Sequence, residues 1–363
     1  MNLSPLRVAV IGVGALGRHH ARILNSLENT ELVAVADPNE EQGKAVAETC
    51  GCEWTHDHRT LFDQVDAVSI VVPTFLHRKI AEDFLSRSIP ALIEKPLTAK
   101  VEDGAVLVRL AAEHEIPLQV GHIERFNPAF QQVQEWVEGP KYIRAERVSP
   151  YAFRSMDIGA VHDLMIHDLE LVLALTGEMP SNVSAMGVTL LGGHEDVVQT
   201  RLTFPSGCVA DVTANRVAPG ASRKIQVWSR SGCVSADLHV REVQRFTPGE
   251  PMLAGQLPYF LASDRVETIE NLKPKVFGHF IQTEEFGGSE MDALTAELES
   301  FLDCVRFGKQ PHVDGNAALQ ALKVAELVLQ AVDQHEWEGT PDGAVGPQAL
   351  LQSHLGDSDQ AAA

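Results

Sequence analysis

The stretch RVAVIGVGALGRHH, from Arg7 to His20, decides how the chain folds. Val8, Ala9, Val10 and Ile11 form a continuous apolar run, the pattern of a strand covered on both faces in a parallel sheet. The run passes directly into Gly12-x-Gly14-x-x-Gly17 and then into helical spacing from Arg18. The three glycines have separate tasks. Gly12 permits a tight turn, Gly14 lets a pyrophosphate approach the main chain, and Gly17 lets the helix pack close to the strand. Ala15 and Leu16 complete the loop, and the free N–H groups of the helix start face the phosphates. A dinucleotide is the ligand that this combination suits.

Working outward, residues 31–37 form a second apolar run that ends on Asp37, 20 positions after Gly17. A carboxylate there accepts from both hydroxyls of a ribose and disfavours an extra phosphate, and no Arg follows within the next few residues. NAD is therefore expected over NADP. The bland alternative for Asp37 is a surface turn. Residues 7–12, 31–37, 67–72, 91–94 and 118–121 read as strands, and all but the last are followed by helical periodicity. That alternation predicts an α/β fold with a doubly wound parallel sheet, a Rossmann domain over residues 1–122, whose strand ends face one crevice.

The remaining length sets the second expectation. With 363 residues, 44% of them hydrophobic, the chain exceeds one ordinary core and suits two domains. Beyond Asn127 the pattern changes: a helical stretch at 130–137, a strand at 142–148 and a helix at 157–175 closed by Gly177. Residues 183–191, 197–204, 208–217, 224–229 and 233–237 then alternate, with Pro205-Ser206-Gly207 and Arg230-Ser231-Gly232 as hairpin turns. A largely antiparallel sheet is expected, within a second α/β domain over 123–333. Residues 290–306 and 316–332 return to helical spacing, residues 246–287 match no readable pattern, and 334–363 read as a loose tail.

Charge and cysteine content exclude other classes. The 29 Lys and Arg face 50 Asp and Glu, a net charge of -21, which repels nucleic acid and anionic membrane surfaces. Five scattered cysteines form neither a disulfide framework nor a zinc pattern and fit a reducing, cytoplasmic setting. The run near Val8 is too short and glycine-broken for a signal peptide. No segment reaches the roughly 20 apolar residues of a membrane helix.

Three further pieces carry candidate chemistry. Glu94-Lys95-Pro96 ends the fourth expected strand, at the edge where ligands bind, and a lysine there can donate to a carbonyl or alkoxide oxygen; a solvated strand-end lysine is the alternative. Asp163 and His167, four apart, share one helix face, so the carboxylate can orient and charge the imidazole as a proton relay. Helix capping, or a metal site, would use the same residue types; metal is disfavoured because no third ligand is near. His122, Arg125 and Asn127 either line an interdomain cleft or make ordinary linker bonds. Pro73-Thr74-x-x-His77 stands beside the cofactor or, through Thr74, caps a helix.

Together, the glycine fingerprint, Pro73-Thr74-x-x-His77, Glu94-Lys95-Pro96, the stretch His122 to Asn127 and Asp163-x-x-x-His167 resemble the glucose-fructose oxidoreductase and inositol dehydrogenase (Gfo/Idh/MocA) family over residues 6–333. The resemblance implies a Rossmann domain followed by an α/β domain with an open, mostly antiparallel sheet, and a homo-oligomer, dimer or tetramer. It implies that Lys95 polarises the reacting oxygen, His167 is the general acid/base, and Asp163 tunes it. Pro73, Thr74, His77 and Glu94 would lie on the nicotinamide side, with no metal. The wording GHIERFNP resembles the nucleotide-sugar branch, implying a substrate such as UDP-N-acetylglucosamine acted on at its 3-position. Arg125, Arg216, Arg223 and Lys224 are then candidates to offset a diphosphate. A polyol or free-monosaccharide dehydrogenase of the inositol type is the alternative, and a non-catalytic dinucleotide sensor a third reading, disfavoured by the presence of both Lys95 and His167.

Overall fold

The structure, a computed structural model, describes residues 4–153, 158–191, 193–287 and 292–337. The chain separates into two compact units, residues 1–126 with 291–323, and residues 127–290 with 324–363.

The first unit is built on six parallel strands: β1 (Leu6–Ile11), β2 (Thr30–Ala36), β3 (Glu53–Thr55), β4 (Ala67–Ile70), β5 (Ala91–Glu94) and β6 (Leu118–Gly121). Their order is β3-β2-β1-β4-β5-β6, the doubly wound arrangement in which the strand order reverses at β1 and β4. Helices α1 (Gly17–Ser26), α2 (Glu40–Cys50), α3 (Thr74–Leu85) and α4 (Val101–Glu113) connect them. All four residues of β4, β5 and β6 are buried, which is why these strands read as unbroken apolar runs. Strand β3 escaped the sequence reading because three residues, Glu53 to Thr55, are too few to show a period.

Two apolar clusters fill this unit, one on each face of the sheet. Helix α3 contributes Ala81, Phe84 and Leu85 to the first. The second holds Val8, Val10, Ala21, Leu24 and Val35 together with Leu294, Leu298, Phe301 and Leu302. The last four residues correct the expected contiguity of the second domain. Residues 291–323 belong with the first unit because their apolar stripe, at spacings of three and four, fits the α1 side of the sheet.

The second unit carries an eight-stranded sheet ordered β14-β13-β12-β11-β7-β10-β9-β8. Its strands are β7 (Tyr142–Val148), β8 (Asn182–Val188), β9 (Val197–Thr203), β10 (Val209–Asn215), β11 (Ser222–Ser229), β12 (Gly232–Asp237), β13 (Glu242–Pro248) and β14 (Ile281–Phe286). All pairings are antiparallel except β7 with β10. Helices α5 (Pro128–Trp136) and α6 (Ile166–Thr176) belong to this unit, and Ile143, Leu169, Val172, Val198, Leu202, Val212 and Val227 are buried in it. The uninterpreted segment 246–287 contains the end of β13, three short helices, α7 (Glu250–Leu253), α8 (Pro258–Ser263) and α9 (Ile269–Leu272), and β14. Strand β14 lies at the sheet edge with four exposed residues in succession, so it lacks the alternation that betrays a half-buried strand.

Helix α10 (Ala293–Phe307) starts at Asp292, whose carboxylate accepts from the Thr295 amide, and α11 (Gly315–Asp333) follows. The expected tail, 334–363, lies outside the described residues from 338 onward. Among the described residues no helix is long and apolar enough to cross a membrane.

Leu298 is fully buried in the cluster beside α1. Leu298→Ala should therefore lower stability by about 2–5 kcal/mol, read as a shift in the urea midpoint of the dinucleotide-binding unit.

Candidate active site

In the first unit the fingerprint loop is shaped by contact. Gly12 has φ +86°, and a β-carbon there would stand 2.4 Å from the carbonyl oxygen of Val71. One on Gly17 would stand 1.9 Å from the carbonyl oxygen of Gly12. At Gly14 it would meet nothing nearer than the Gln42 amide nitrogen, at 4.0 Å. Packing thus demands the outer two glycines, while the middle one leaves open space above the main chain. Leu16, at the start of α1, provides no side-chain cap, and the first turn holds no acidic residue, so an anion meets no competing carboxylate there.

Asp37 follows β2 beside this loop and is 7% exposed. Its Oδ2 accepts from the Val13 amide at 2.9 Å and from Gln42 Nε2 at 3.3 Å, and its Oδ1 from the Asn39 amide at 2.8 Å. A carboxylate offers about four acceptor sites, so capacity remains for a ribose hydroxyl. Asp37, Gly12, Gly14 and Pro73 line one cleft of about 390 Å³, together with Gln42, His56 and His58. Of these, Asp37, Gln42, His56 and His58 fit the adenosine side of a bound dinucleotide. Gln42, His56 and His58 were not singled out from sequence; the two histidines follow the unread strand β3.

Pro73 is the extended residue before α3 and Thr74 its first helical residue, and no side chain caps this helix, so Thr74 is not a cap. His77 is buried, with Nδ1 2.9 Å from the Pro96 carbonyl oxygen and Nε2 2.9 Å from that of Val72. Its ring thereby ties the β4–α3 turn to the loop that follows Lys95. Burial pushes its pKa below the usual histidine value.

Glu94 is 9% exposed, and its Oε2 accepts from the Lys95 amide at 3.2 Å. His20 Nε2 lies 3.2 Å from Glu94 Oε1, and His20 Nδ1 is 2.9 Å from the Ser69 hydroxyl. The Glu94 carboxylate rests against Gly121, where a β-carbon would come within 2.8 Å of Oε1. Lys95 itself is half-buried. His122 is buried and held neutral, its pKa pushed down to about 3 by burial, with the charges of Lys95 and Arg125 adding. Lys95, Glu94, His122 and Arg125 thus occupy one neighbourhood at the ends of β5 and β6 of the first unit.

In the second unit, Asp163 and His167 are both half-buried, but the helix carrying them is not regular. Residues Val161–Met165 form a π turn in which the Ile166 amide bonds to the Val161 carbonyl, and α6 continues from it. Such single wide turns recur at functional sites. The turn is pinned by Glu195, whose Oε1 accepts from the Val161 amide at 3.0 Å and whose carbonyl accepts from the Ala160 amide at 2.9 Å. The expected helical start at 157 falls outside the described residues.

Several candidate substrate residues have structural partners. Arg216 is 5% exposed, donates from Nε to Asp196 Oδ1 at 2.7 Å and from Nη1 to the Ile158 carbonyl at 2.6 Å. Contrary to the expectation for a diphosphate contact, it completes a buried ion pair. Asn127 caps α5, accepting from the Ala129 amide at 3.0 Å and donating to the Leu238 carbonyl at 2.9 Å, which is the linker reading. Arg223 and Lys224 are exposed on β11, but successive strand residues point to opposite faces. Arg223 shares its face with buried Ile225 and Val227, whereas Lys224 shares the other with Trp228, so the two cannot meet one group from the same side.

The comparisons agree with this fold. Residues 6–122 match the model of an oxidoreductase family with an NAD-binding Rossmann fold, and residues 131–235 match that of the GFO/IDH/MocA C-terminal domain. The chain is 34% identical over 329 residues to UDP-N-acetylglucosamine 3-dehydrogenase of Acidithiobacillus ferrooxidans, covering 90% of this chain and 97% of that protein. It is 27% identical to scyllo-inositol 2-dehydrogenase (NAD(+)) of Bacillus subtilis, over 85% of this chain and 88% of that one. A solved structure of the Acidithiobacillus ferrooxidans enzyme superposes with a TM-score of 0.79 at 32% identity, covering 91% of this chain and 98% of that chain.

Asp37→Ala should weaken NAD relative to NADP by about tenfold or more, the value of a charge-assisted hydrogen bond; an unchanged ratio of dissociation constants would remove Asp37 as the ribose acceptor. Arg216→Ala should leave substrate KM near that of the parent while lowering stability by about 3–5 kcal/mol, since Asp196 stays buried without its cation.

Proposed function

The chain belongs to the Gfo/Idh/MocA family of NAD-binding oxidoreductases, and from that premise we propose that it interconverts a secondary alcohol and a ketone on a nucleotide sugar, with UDP-N-acetylglucosamine and its 3-position as the leading substrate. The observation that carries this reading is the 34% identity to UDP-N-acetylglucosamine 3-dehydrogenase across nearly the whole of both proteins. The inositol-type alternative rests on relatives of lower identity.

Bound NAD supplies the hydride acceptor. The protein's own groups would do the remaining work. Gly12, Gly14, Ala15, Leu16 and Gly17 hold the phosphates on main-chain N–H groups, and Asp37 takes the ribose hydroxyls. Lys95, fixed through its amide by Glu94, donates to the reacting oxygen and stabilises negative charge on it. His167 accepts the alcohol proton in oxidation and returns it in reduction, with Asp163 orienting the ring. Of the basic residues weighed for a diphosphate, Arg125 and one of Arg223 and Lys224 remain, since those two face opposite sides of β11. We further propose a homo-oligomer in a reducing, cytoplasmic compartment, in keeping with five free cysteines.

The reading is tested by mixing the purified protein and NAD with UDP-N-acetylglucosamine, other UDP-sugars, inositol and glucose, and following reduced nicotinamide by absorbance. Turnover of UDP-sugars alone supports it; turnover of inositol or glucose alone replaces it with the polyol reading. Silence throughout, in both directions and with either cofactor, favours a dinucleotide sensor. Lys95→Ala should slow kcat by about 100-fold or more while leaving NAD affinity nearly intact, measured by steady-state kinetics beside cofactor titration.

A further inference from the structure

Glu297 lies on α10 and is fully buried, yet among the described residues neither of its carboxylate oxygens has a hydrogen-bond partner. Its main-chain carbonyl accepts from Gln119 Nε2 at 2.9 Å, which fixes the helix against β6. A buried carboxylate without donors costs several kcal/mol as an anion, and the group neutralises by holding its proton. Burial first, and then the Glu94 carboxylate, push Glu297 well above the usual glutamate range. A neutral acid there spares the unit a second buried negative charge.

The neighbouring charge follows from the surroundings. Helix α10 packs on α1 and on the turn Ile123–Phe126. The buried or half-buried titratable and charged groups of these elements and the adjoining strand ends are His20 of α1, Glu94 and Lys95 at the end of β5, His122 after β6, and Glu124 and Arg125 of the turn, whereas Arg18, His19 and Arg22 of α1 are exposed. His122 is held neutral, and the carboxylate whose charge acts on Glu297 is that of Glu94. Glu94 is in turn flanked by His20 and by the Lys95 amide.

We propose that Glu297 is a positioning residue of the reaction, a neutral acid enclosed near Glu94, so that the strand end carrying Lys95 rests beside one buried carboxylate charge instead of two. A second charge would set the two carboxylates against each other and displace the Glu94 oxygen that receives the Lys95 amide. The proposal rests on the role assigned to Lys95, but its central claim, the retained proton, does not.

Infrared difference spectroscopy of the full chain at pH 7 should show the carbonyl band of a protonated carboxylic acid that Glu297→Gln abolishes. In denaturant titrations, the folding constant of Glu297→Gln relative to the parent should rise by about tenfold per pH unit above the ordinary glutamate range, until the folded acid ionises. The sign follows because the folded parent holds a proton that its unfolded chain has released, so parent stability falls as pH rises and the amide variant escapes the loss. In turnover, Glu297→Ala should lose about tenfold or more in kcat with little change in KM, and Glu297→Gln, which keeps a neutral donor, should recover most of it. Absence of the infrared band, parallel stability curves, or a glutamine variant as slow as the alanine one would each overturn the proposal. The first two readouts involve no substrate, so they stand even if every sugar fails to turn over.

Discussion

The close approach of α1 to the end of β1 is the constraint on which the dinucleotide-binding unit depends. With the carbonyl of Gly12 already where a β-carbon of residue 17 would sit, no other residue type lets the helix begin at that depth. That depth sets the N-terminus of α1 above the sheet edge, where the order of strands reverses between β1 and β4. Asp37 reaches the same point from β2 because β1 and β2 are parallel neighbours, and its bond to the Val13 amide holds the loop in the shape the glycines permit. The loop, the acidic side chain and the helix start form one device, and each part loses its purpose without the others.

The two units handle buried charge differently. The second pairs it: Arg216 with Asp196, and Arg147 with Asp168 through two bonds of 2.8 and 3.0 Å. Both pairs lie almost wholly out of solvent, so either partner alone would be a buried ion, and the geometry around them is correspondingly strict. The first unit instead buries a row of polar groups, Ser69, His20 and Glu94, with the Glu297 carboxylate enclosed nearby. The proton proposed for Glu297 limits the charge there, and the row ends at the backbone of Lys95.

Much of the architecture was legible because it is written in short-range patterns. Strands β5, β6 and β7 have the bounds that their apolar runs or alternation indicate, and Gly177 closes α6 in a left-handed conformation, as a glycine after helical spacing implies. The elements that were missed lack such patterns. Strand β3 has three residues, β14 is an exposed edge, and the wide turn at Val161–Met165 has the same residue periodicity as an α-helix to within one position. Candidate residues divide in the same way. The glycines and Asp37 stand where their spacing puts them, while Arg216 and Asn127 found partners that no spacing could indicate, Asp196 and Leu238.

The amino-acid sequence by itself determined the parallel sheet, the glycine loop that follows its first strand, the place of Asp37 after the second and the family, because each depends on residues close together in the chain or on ordered motifs. Only the tertiary structure decided that residues 291–323 rejoin the first unit, that Arg216 is spent on a buried ion pair, and that Glu297 is enclosed near Glu94. Those outcomes turn on burial and on partners distant in sequence, and desolvation is a property of the packed molecule that no local pattern encodes.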